Sequence, residues 1–130
     1  MLRMTFVIGL LGLGSCNADE TVAGYGGADR LWELTELDGQ PFDQRATLTF
    51  PETGKISGQA PCNRYFAAME APYPWFHAGP VAATRMACPE LDAETAFLSA
   101  LADMTQSEVS GDVLILRNDT GREMVFTASE

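Results

Sequence analysis

From Leu31 onward, apolar and polar residues alternate in short runs, and this pattern constrains the fold more than any other feature of the chain. Trp32 and Leu34 fall on one side of the first run, and Leu48 and Phe50 fall on one side of the next. A repeat of two residues is typical of a β-strand with one buried face, because successive side chains point to opposite sides of a sheet. The chain is therefore expected to form many short antiparallel strands.

Two turn sequences join some of these strands into hairpins. Residues 51–54 read Pro-Glu-Thr-Gly, and residues 118–121 read Asn-Asp-Thr-Gly. Proline, asparagine, aspartate and glycine each favour turn conformations, and a short turn between two alternating runs predicts a hairpin. Two further strands are expected at residues 75–77 and 81–86.

One segment, residues 92–104, has a different pattern. Asp92 can cap the start of a helix, and Glu94 is favourable near the positive end of the helix dipole. The apolar residues of this segment recur at helical spacing and form one stripe, which consists of Phe97, Leu98, Leu101 and Met104. The expected fold class is α+β, with an antiparallel β-sheet, partly closed and barrel-like, packed on one α-helix.

Residues 1–15 have the layout of a bacterial export signal. Arg3 supplies a positive start, and residues 6–13 form an apolar run far shorter than the roughly 20 residues that span a bilayer as a helix. The sequence Leu-Gly-Ser before Cys16 resembles the lipobox of bacterial lipoproteins. The alternative is a buried N-terminal helix that ends in a spare cysteine.

The lipobox predicts that Cys16 is the first residue of the mature protein and carries the lipid. Several acyl chains hold a protein on a bilayer, whereas a single chain binds only marginally. Residues 16–29 are small and polar and are expected to form a flexible tether, which leaves residues 30–130 as the folded domain. The expected localisation is the cell envelope, facing the periplasm. Asn17 is not the aspartate that marks inner-membrane retention, so the outer membrane is favoured over the inner membrane.

The chain is acidic, with a formal net charge of −10. Such a surface repels nucleic acid, because binding to phosphates depends on cationic side chains. If charge guides a partner to this protein, that partner is cationic. The alternative is that the charge serves solubility alone.

Catalytic motifs are missing around the single histidine, His77, which is expected in a strand with its ring half exposed. The chain has no Gly-x-Ser-x-Gly elbow and no Cys-x-x-Cys redox pair. A zinc site of Cys62, His77 and Cys88 would be one ligand short of a closed structural site. We therefore expect no catalytic residue, no metal site and no cofactor. Paired carboxylates leave a hydrolase open as an alternative, because acidic residues are plentiful.

The chain has three cysteines, an odd number that leaves one unpaired. Lipidation of Cys16 accounts for that one and leaves Cys62 and Cys88 in an oxidising compartment, where disulfides persist. A disulfide between Cys62 and Cys88 is therefore predicted. The alternative is two separate buried thiols, since unpaired cysteine is also commonly buried.

Five short motifs follow one another along the folded part. They are Trp-Glu-Leu-Thr-Glu-Leu-Asp-Gly at 32–39, Ile-Ser-Gly at 56–58, Cys-Asn-Arg-Tyr at 62–65, Thr-Arg-Met-Ala-Cys-Pro at 84–89 and Glu-x-x-Phe-Leu-x-x-Leu at 94–101. Together they resemble the META domain, the heat-shock protein HslJ-like family of small bacterial envelope proteins, over about residues 30–127. The resemblance implies a small antiparallel β structure with one helix against it. It also implies an association with envelope stress and drug tolerance, with no shared enzymatic activity or cofactor. Pro61 departs from the family pattern, because it stands where glycine is usual and removes a backbone donor at a bend.

Two polar pairs are the candidate binding residues. Asn63 and Arg64 follow one cysteine, and Thr84 and Arg85 precede the other within a few residues, so the four are expected to converge. The alternative is that Asn63 and Thr84 satisfy backbone groups at strand ends.

These features favour a non-catalytic envelope lipoprotein of the META type, which acts as a binding or protective module. It would be held on the membrane by its lipid anchor and would act on an envelope protein or a small molecule. A second hypothesis is an inhibitor or pilot lipoprotein that binds a cationic envelope protein such as a lysozyme, guided by the negative charge. A third is an unrecognised hydrolase.

Overall fold

The computed structural model describes residues 19–129, so the predicted signal peptide and Cys16 lie outside the described residues. The chain has α+β structure, as expected, with one α-helix and mostly antiparallel strands in the described part. The strands are β1 (Leu31–Leu37), β2 (Gln40–Pro41), β3 (Thr47–Leu48), β4 (Lys55–Gln59), β5 (Arg64–Ala68), β6 (Ala82–Ala83), β7 (Gln106–Ser110), β8 (Val113–Arg117) and β9 (Glu123–Ser129). The helices are a short 3₁₀ helix (Val22–Tyr25) and α1 (Leu91–Asp103).

The larger sheet has six strands in the order β2-β1-β9-β8-β7, with β3 beside β1. β8 and β9 form the hairpin predicted around residues 118–121, and Leu114 lies opposite Phe126 with both side chains buried. The Asn118 side-chain oxygen accepts a hydrogen bond from the backbone N–H of Arg122 at 2.9 Å. Asparagine favours turns for this reason, since its side chain can satisfy nearby backbone donors.

The smaller sheet has three strands in the order β4-β5-β6. It meets the larger sheet at one bridge, where Thr49 and Ser57 exchange backbone hydrogen bonds of 2.7 and 3.0 Å. The hairpin predicted around residues 51–54 is therefore present only in part. β3 pairs with β1, and β4 pairs with β5, so the turn connects two sheets.

The expected partly closed barrel is not confirmed, because the described strands form two sheets without a closed circuit. The outer edge of β7 meets an irregular segment in which Trp75 makes one isolated bridge to Gln106. Pro72 and Pro74 lack backbone N–H donors, so this segment cannot form a continuous ladder. Of the strand expected at 75–77, the structure shows only the Trp75 bridge. Of the strand expected at 81–86, it shows only β6.

α1 confirms the predicted helix to within one residue at each end. Its buried stripe packs on the sheets, and the Phe97 ring meets the Tyr65 ring edge-on with centroids 5.5 Å apart. Asp92 was expected to cap the helix, and this expectation is wrong. The cap position is Glu90, which makes no side-chain capping bond, and Asp92 is exposed in the first turn. Among residues 19–129, no helix is long and apolar enough to cross a membrane.

Gly58 lets β4 approach β3 closely. A Cβ atom at this position would collide with the Thr47 carbonyl oxygen and the Tyr65 hydroxyl. The Tyr65 hydroxyl donates a hydrogen bond of 2.6 Å to that same carbonyl oxygen. Burial raises the pKa of Tyr65 well above its usual range, so the phenol stays a neutral donor. Glycine is the residue that fits this close approach.

The described part of the expected tether packs against the domain. Val22 is fully buried and Ala23 nearly so, and both belong to the hydrophobic core. The Gly27 carbonyl oxygen accepts a hydrogen bond of 2.9 Å from the buried Trp32 indole. The predicted tether is therefore wrong over residues 19–29, because Val22 and Ala23 pack in the hydrophobic core.

Removing residues 19–29 is expected to destabilise the domain. Burial of a valine side chain contributes about 1.5–3 kcal/mol, so a chain that begins at Arg30 should unfold with roughly 3 kcal/mol less free energy than one that begins at Asp19. Val22→Ala should account for about half of that loss, and the exposed Glu20→Ala is the control. Urea denaturation measures all four chains. Equal free energies of unfolding for the chains that begin at Asp19 and Arg30 would show that the tether extends to residue 29, as predicted from the sequence.

Candidate functional site

A disulfide joins Cys62, in the loop between β4 and β5, to Cys88, just before α1. The two Cα atoms are 6.0 Å apart, within the usual range for a disulfide. Glu90 lies close enough to both sulfurs to make a third metal ligand. Metals bind the thiolate form of cysteine, which a disulfide does not offer. The bond therefore fixes the loop to the start of the helix.

The carboxylate of Glu94 lies next to Cys62 and is buried, with 6 % of the residue exposed. One oxygen accepts backbone hydrogen bonds from Cys62 at 3.0 Å and Asn63 at 2.6 Å. The other oxygen accepts a hydrogen bond of 2.6 Å from the Asn63 side-chain amide. A buried carboxylate is stable only where such donors replace water. Glu94 thus ties α1 to the β4–β5 loop.

Asn63 continues this network toward the segment that follows β6. Its side-chain oxygen accepts hydrogen bonds from the Met86 backbone N–H at 2.7 Å and the Thr84 hydroxyl at 2.9 Å. The Thr84 hydroxyl in turn accepts a hydrogen bond of 3.2 Å from the Arg64 backbone N–H. The hydrogen-bonding capacity of Asn63 and Thr84 is therefore used within the protein. We name Cys62, Asn63, Thr84, Cys88 and Glu94 the Asn63 junction.

The sequence identified four members of the junction and missed Glu94, which was assigned only to the helix dipole. Its partners lie 31 and 32 residues earlier, beyond the reach of any local pattern. The available signal was the acidic residue that opens the Glu-x-x-Phe-Leu motif of the family resemblance. Pro61 is accommodated because the loop uses the N–H groups of the residues on either side, Ala60 and Cys62.

The two arginines of the predicted binding set lie on the surface, whereas Asn63 is buried. Arg64 and Arg85 are exposed and flank Thr84, and neither forms an ion pair within residues 19–129. The other basic residues of the described part, apart from Arg45, are each paired with one or two carboxylates. The structure therefore brings the four predicted residues together, with Asn63 buried and Arg64, Thr84 and Arg85 exposed.

An apolar surface adjoins these arginines. Phe66 is 64 % exposed on β5, and Met86 is 61 % exposed next to Arg85. An open cleft of about 550 Å³ runs past Phe66, Arg64 and Thr84, and Thr84 is shared with a second cleft at Arg85 and Met86. We name Arg64, Phe66, Arg85 and Met86, with the clefts between them, the Phe66 face.

His77 lies elsewhere, on an exposed loop between β5 and β6 and not in the expected strand. It borders a shallow apolar cleft against α1, where Thr95 and Ser99 supply the hydroxyl groups. Within the described residues, no hydrogen bond or ion pair joins its ring to a carboxylate or a serine. The arrangement that activates a nucleophilic serine is not formed there.

Substitution of Glu94 tests the Asn63 junction. Glu94→Ala leaves three buried donors without an acceptor, and each unsatisfied group costs about 1–3 kcal/mol, so the free energy of unfolding should fall by roughly 3 kcal/mol or more. Glu94→Gln should also destabilise the fold, because one amide nitrogen would then face another donor. Asp92→Ala removes an exposed carboxylate from the same helical turn and is the matched control. Equal thermal unfolding of Glu94→Ala and Asp92→Ala would contradict the role of Glu94.

The disulfide is testable by chemistry. The exported protein, denatured and alkylated without reduction, should show no alkylation of Cys62 or Cys88 in its mass spectrum. Reduction should lower the free energy of unfolding by roughly 3–4 kcal/mol, because the bond closes a loop with a sequence separation of 26 residues. The Cys62→Ser/Cys88→Ser variant should match the reduced protein. Two alkylated thiols before reduction would show that the bond does not form.

Comparison with known proteins agrees with this architecture. Residues 27–130 match the model of the META domain family. An NMR structure of a protein from Burkholderia xenovorans is 28 % identical, with 83 % of this chain and 87 % of that chain covered and a TM-score of 0.65. A crystal structure of a DUF4847 family protein from Bacteroides vulgatus is 14 % identical, covers 82 % of this chain and 96 % of its own, and also has a TM-score of 0.65, a likeness of fold alone. Comparison with curated proteins gives no match. The family model covers most of the sequence and confirms the resemblance carried by the motifs, and the chain therefore belongs to the META domain family.

Proposed function

We propose that this protein is a non-catalytic envelope lipoprotein that binds its partner through the Phe66 face. The observation that carries the proposal is the pair of exposed arginines, neither of which forms an ion pair within residues 19–129, beside exposed Phe66 and Met86. The described part is otherwise strongly acidic, and contiguous exposed apolar patches rimmed by polar residues mark interaction sites.

The absence of catalysis is part of the proposal, and the Asn63 junction supports it. Glu94 and Asn63 are the buried polar side chains at the centre of the candidate site, and their oxygens are occupied by donors of the protein itself. A general base must have a lone pair within reach of a substrate proton. These groups serve the fold, and the partner meets the outer surface.

The chemistry of the Phe66 face favours a particular kind of partner. Arginine presents a planar fork of donors that matches a carboxylate or a phosphate. Phe66 and Met86 offer apolar contact beside it, and methionine adapts to irregular shapes. The partner is therefore an envelope protein or small molecule that carries an anionic group next to an apolar one. The association of the family with envelope stress and drug tolerance is consistent with such a protective binding module.

The location is also proposed from the sequence. The export signal and the lipobox at Cys16 support an anchor in the membrane, with the domain facing the periplasm. The outer membrane is favoured over the inner membrane because Asn17 follows the lipidated cysteine. Nucleic acid is not a partner in this proposal, since the chain carries a net charge of −10.

A second function is supported by the same net charge. An inhibitor or pilot lipoprotein would meet a cationic envelope protein, such as a lysozyme, through its acidic surface. Seventeen acidic residues lie within residues 19–129 against seven basic ones. In this case the Phe66 face would not be needed for binding.

Replacement of Cys16 tests the anchor. Cys16→Ala should abolish incorporation of labelled fatty acid into the chain, because the substituted residue has no sulfur to acylate, and precursor should accumulate. Cys62→Ala is the matched control, since it removes a cysteine of the folded domain and should leave labelling unchanged. Label that still enters the Cys16→Ala chain would contradict the lipoprotein assignment.

Variants of the Phe66 face separate the two binding functions. The mature protein is used to capture envelope proteins and small molecules at low and high salt. Arg64→Ser/Arg85→Ser and Phe66→Ser should each abolish capture, because the first removes both cations and the second removes the exposed ring. His77→Ala is the control, since His77 is exposed and outside the face, and it should bind normally. Capture of a basic protein that survives both face variants and is lost at high salt would favour the inhibitor or pilot function.

A further inference from the structure

We propose that a second surface, formed by Tyr25, Tyr73 and Trp75, lies against the lipid bilayer. The inference rests on the proposed acylation of Cys16 and deepens it by assigning an orientation to the domain. We name these three residues the aromatic edge. The occupant to which the proposal commits is the headgroup region of a zwitterionic membrane.

The point at which the chain enters the domain is fixed beside this edge. The Asp19 carboxylate accepts hydrogen bonds from the Thr21 backbone N–H at 2.8 Å and from the Thr53 hydroxyl at 3.3 Å. The Glu20 carbonyl oxygen accepts a hydrogen bond of 2.7 Å from the Tyr73 backbone N–H. The first described residues are therefore held against the domain and cannot act as a long spacer.

The remaining distance to the membrane is short. Cys16 precedes Asp19 by three residues, and an extended chain spans at most about 3.3–3.6 Å per residue. An acylated Cys16 would therefore hold Asp19 within roughly 10 Å of the bilayer surface. Tyr73, which is hydrogen-bonded to the residue after Asp19, must lie close to the same surface.

The residues found there are of the types that favour a membrane interface. The rings of Tyr25 and Tyr73 are stacked, with centroids 4.6 Å apart and planes 11° from parallel. Tyr25 and Trp75 are each 55 % exposed, and a tight turn places the Trp75 backbone N–H 2.7 Å from the Pro72 carbonyl oxygen, beside Tyr73. Tyrosine and tryptophan are enriched at headgroup level because each has an apolar body and a polar tip.

The carboxylates near the aromatic edge determine which kind of lipid surface fits it. Asp19 and Glu20 lie at the point of entry, and Glu52 and Glu70 flank the neighbouring turn at Thr53 and Gly54. These carboxylates would be repelled by a strongly anionic lipid surface. A zwitterionic surface therefore fits the aromatic edge better than an anionic one.

Arg64 lies at the end of the smaller sheet away from the point at which the chain enters the domain. Lys55 pairs with Ala68 at the end of the smaller sheet nearest Thr53, and Gln59 pairs with Arg64 at its other end. At about 3.3 Å per residue, Arg64 lies roughly 13 Å beyond Ala68 along β5. The arginine end of the Phe66 face would thus be open to the periplasm.

Tryptophan fluorescence tests the aromatic edge, because Trp75 is exposed whereas Trp32 is fully buried. The lipoprotein purified from the envelope is placed in phosphatidylcholine vesicles with brominated acyl chains, which quench nearby indoles. Trp75 emission should shift to shorter wavelength and be quenched, relative to the same protein in vesicles without bromine. Trp75→Phe should abolish the quenchable part of the emission, while the emission of Trp32 remains in both lipids.

Two results would overturn the inference, and they are distinguishable. An acylated protein, verified by the mass of its Cys16 peptide, whose Trp75 emission is unchanged by bromine would overturn the orientation and leave the anchor intact. A Cys16 peptide without acyl mass would overturn the anchor and the inference with it. Circular dichroism of Trp75→Phe verifies that the variant is folded.

Discussion

The buried Glu94 carboxylate holds the helix and the smaller sheet in one arrangement. Its two oxygens receive two backbone donors and one side-chain donor from the β4–β5 loop, at 2.6–3.0 Å. Without these donors, burial of the charge would be costly, and without the charge, the loop donors would be buried and unsatisfied. The buried carboxylate and the donors of the β4–β5 loop therefore depend on each other for their hydrogen bonds. The Cys62–Cys88 disulfide links the same two elements covalently and acts on the unfolded chain as well.

The elements that depend on local pattern could be predicted from the sequence. The β8–β9 hairpin follows from alternation and an Asn-Asp-Thr-Gly turn, and α1 follows from one apolar stripe. Closure of the sheet into a barrel could not be predicted from local pattern, because it depends on which strand edges pair in the folded protein. Val22 was hidden among glycines and small polar residues, so its burial could not be distinguished from a tether. The convergence of Asn63 and Thr84 is expected because each lies near a cysteine. The bonds from Asn63 to the Glu94 carboxylate could not be predicted in this way.

The arrangement of the polar residues is the structural basis of the proposed binding function. Asn63 is buried and Thr84 is exposed, but the side chains of both form hydrogen bonds within the protein. Together with Glu94 they join the β4–β5 loop, the segment after β6 and α1. The adjacent residues Arg64 and Arg85 are consequently directed to solvent, with no ion pair in the described part of the chain. The network thus holds the backbone from which the two exposed cations extend. Such pre-organisation lowers the entropy cost of binding an anionic partner.

Glu94 is expected to make the β4–β5 loop as rigid as the strands it joins. Amide hydrogen exchange followed by NMR tests this directly at Cys62 and Asn63, whose N–H groups donate to the buried carboxylate. Both amides are expected to exchange as slowly as those in the centres of β4 and β5, because each is exposed to solvent only when the Asn63 junction opens. Exchange as fast as that of the exposed amides of Asp43 and Gln44 would contradict it.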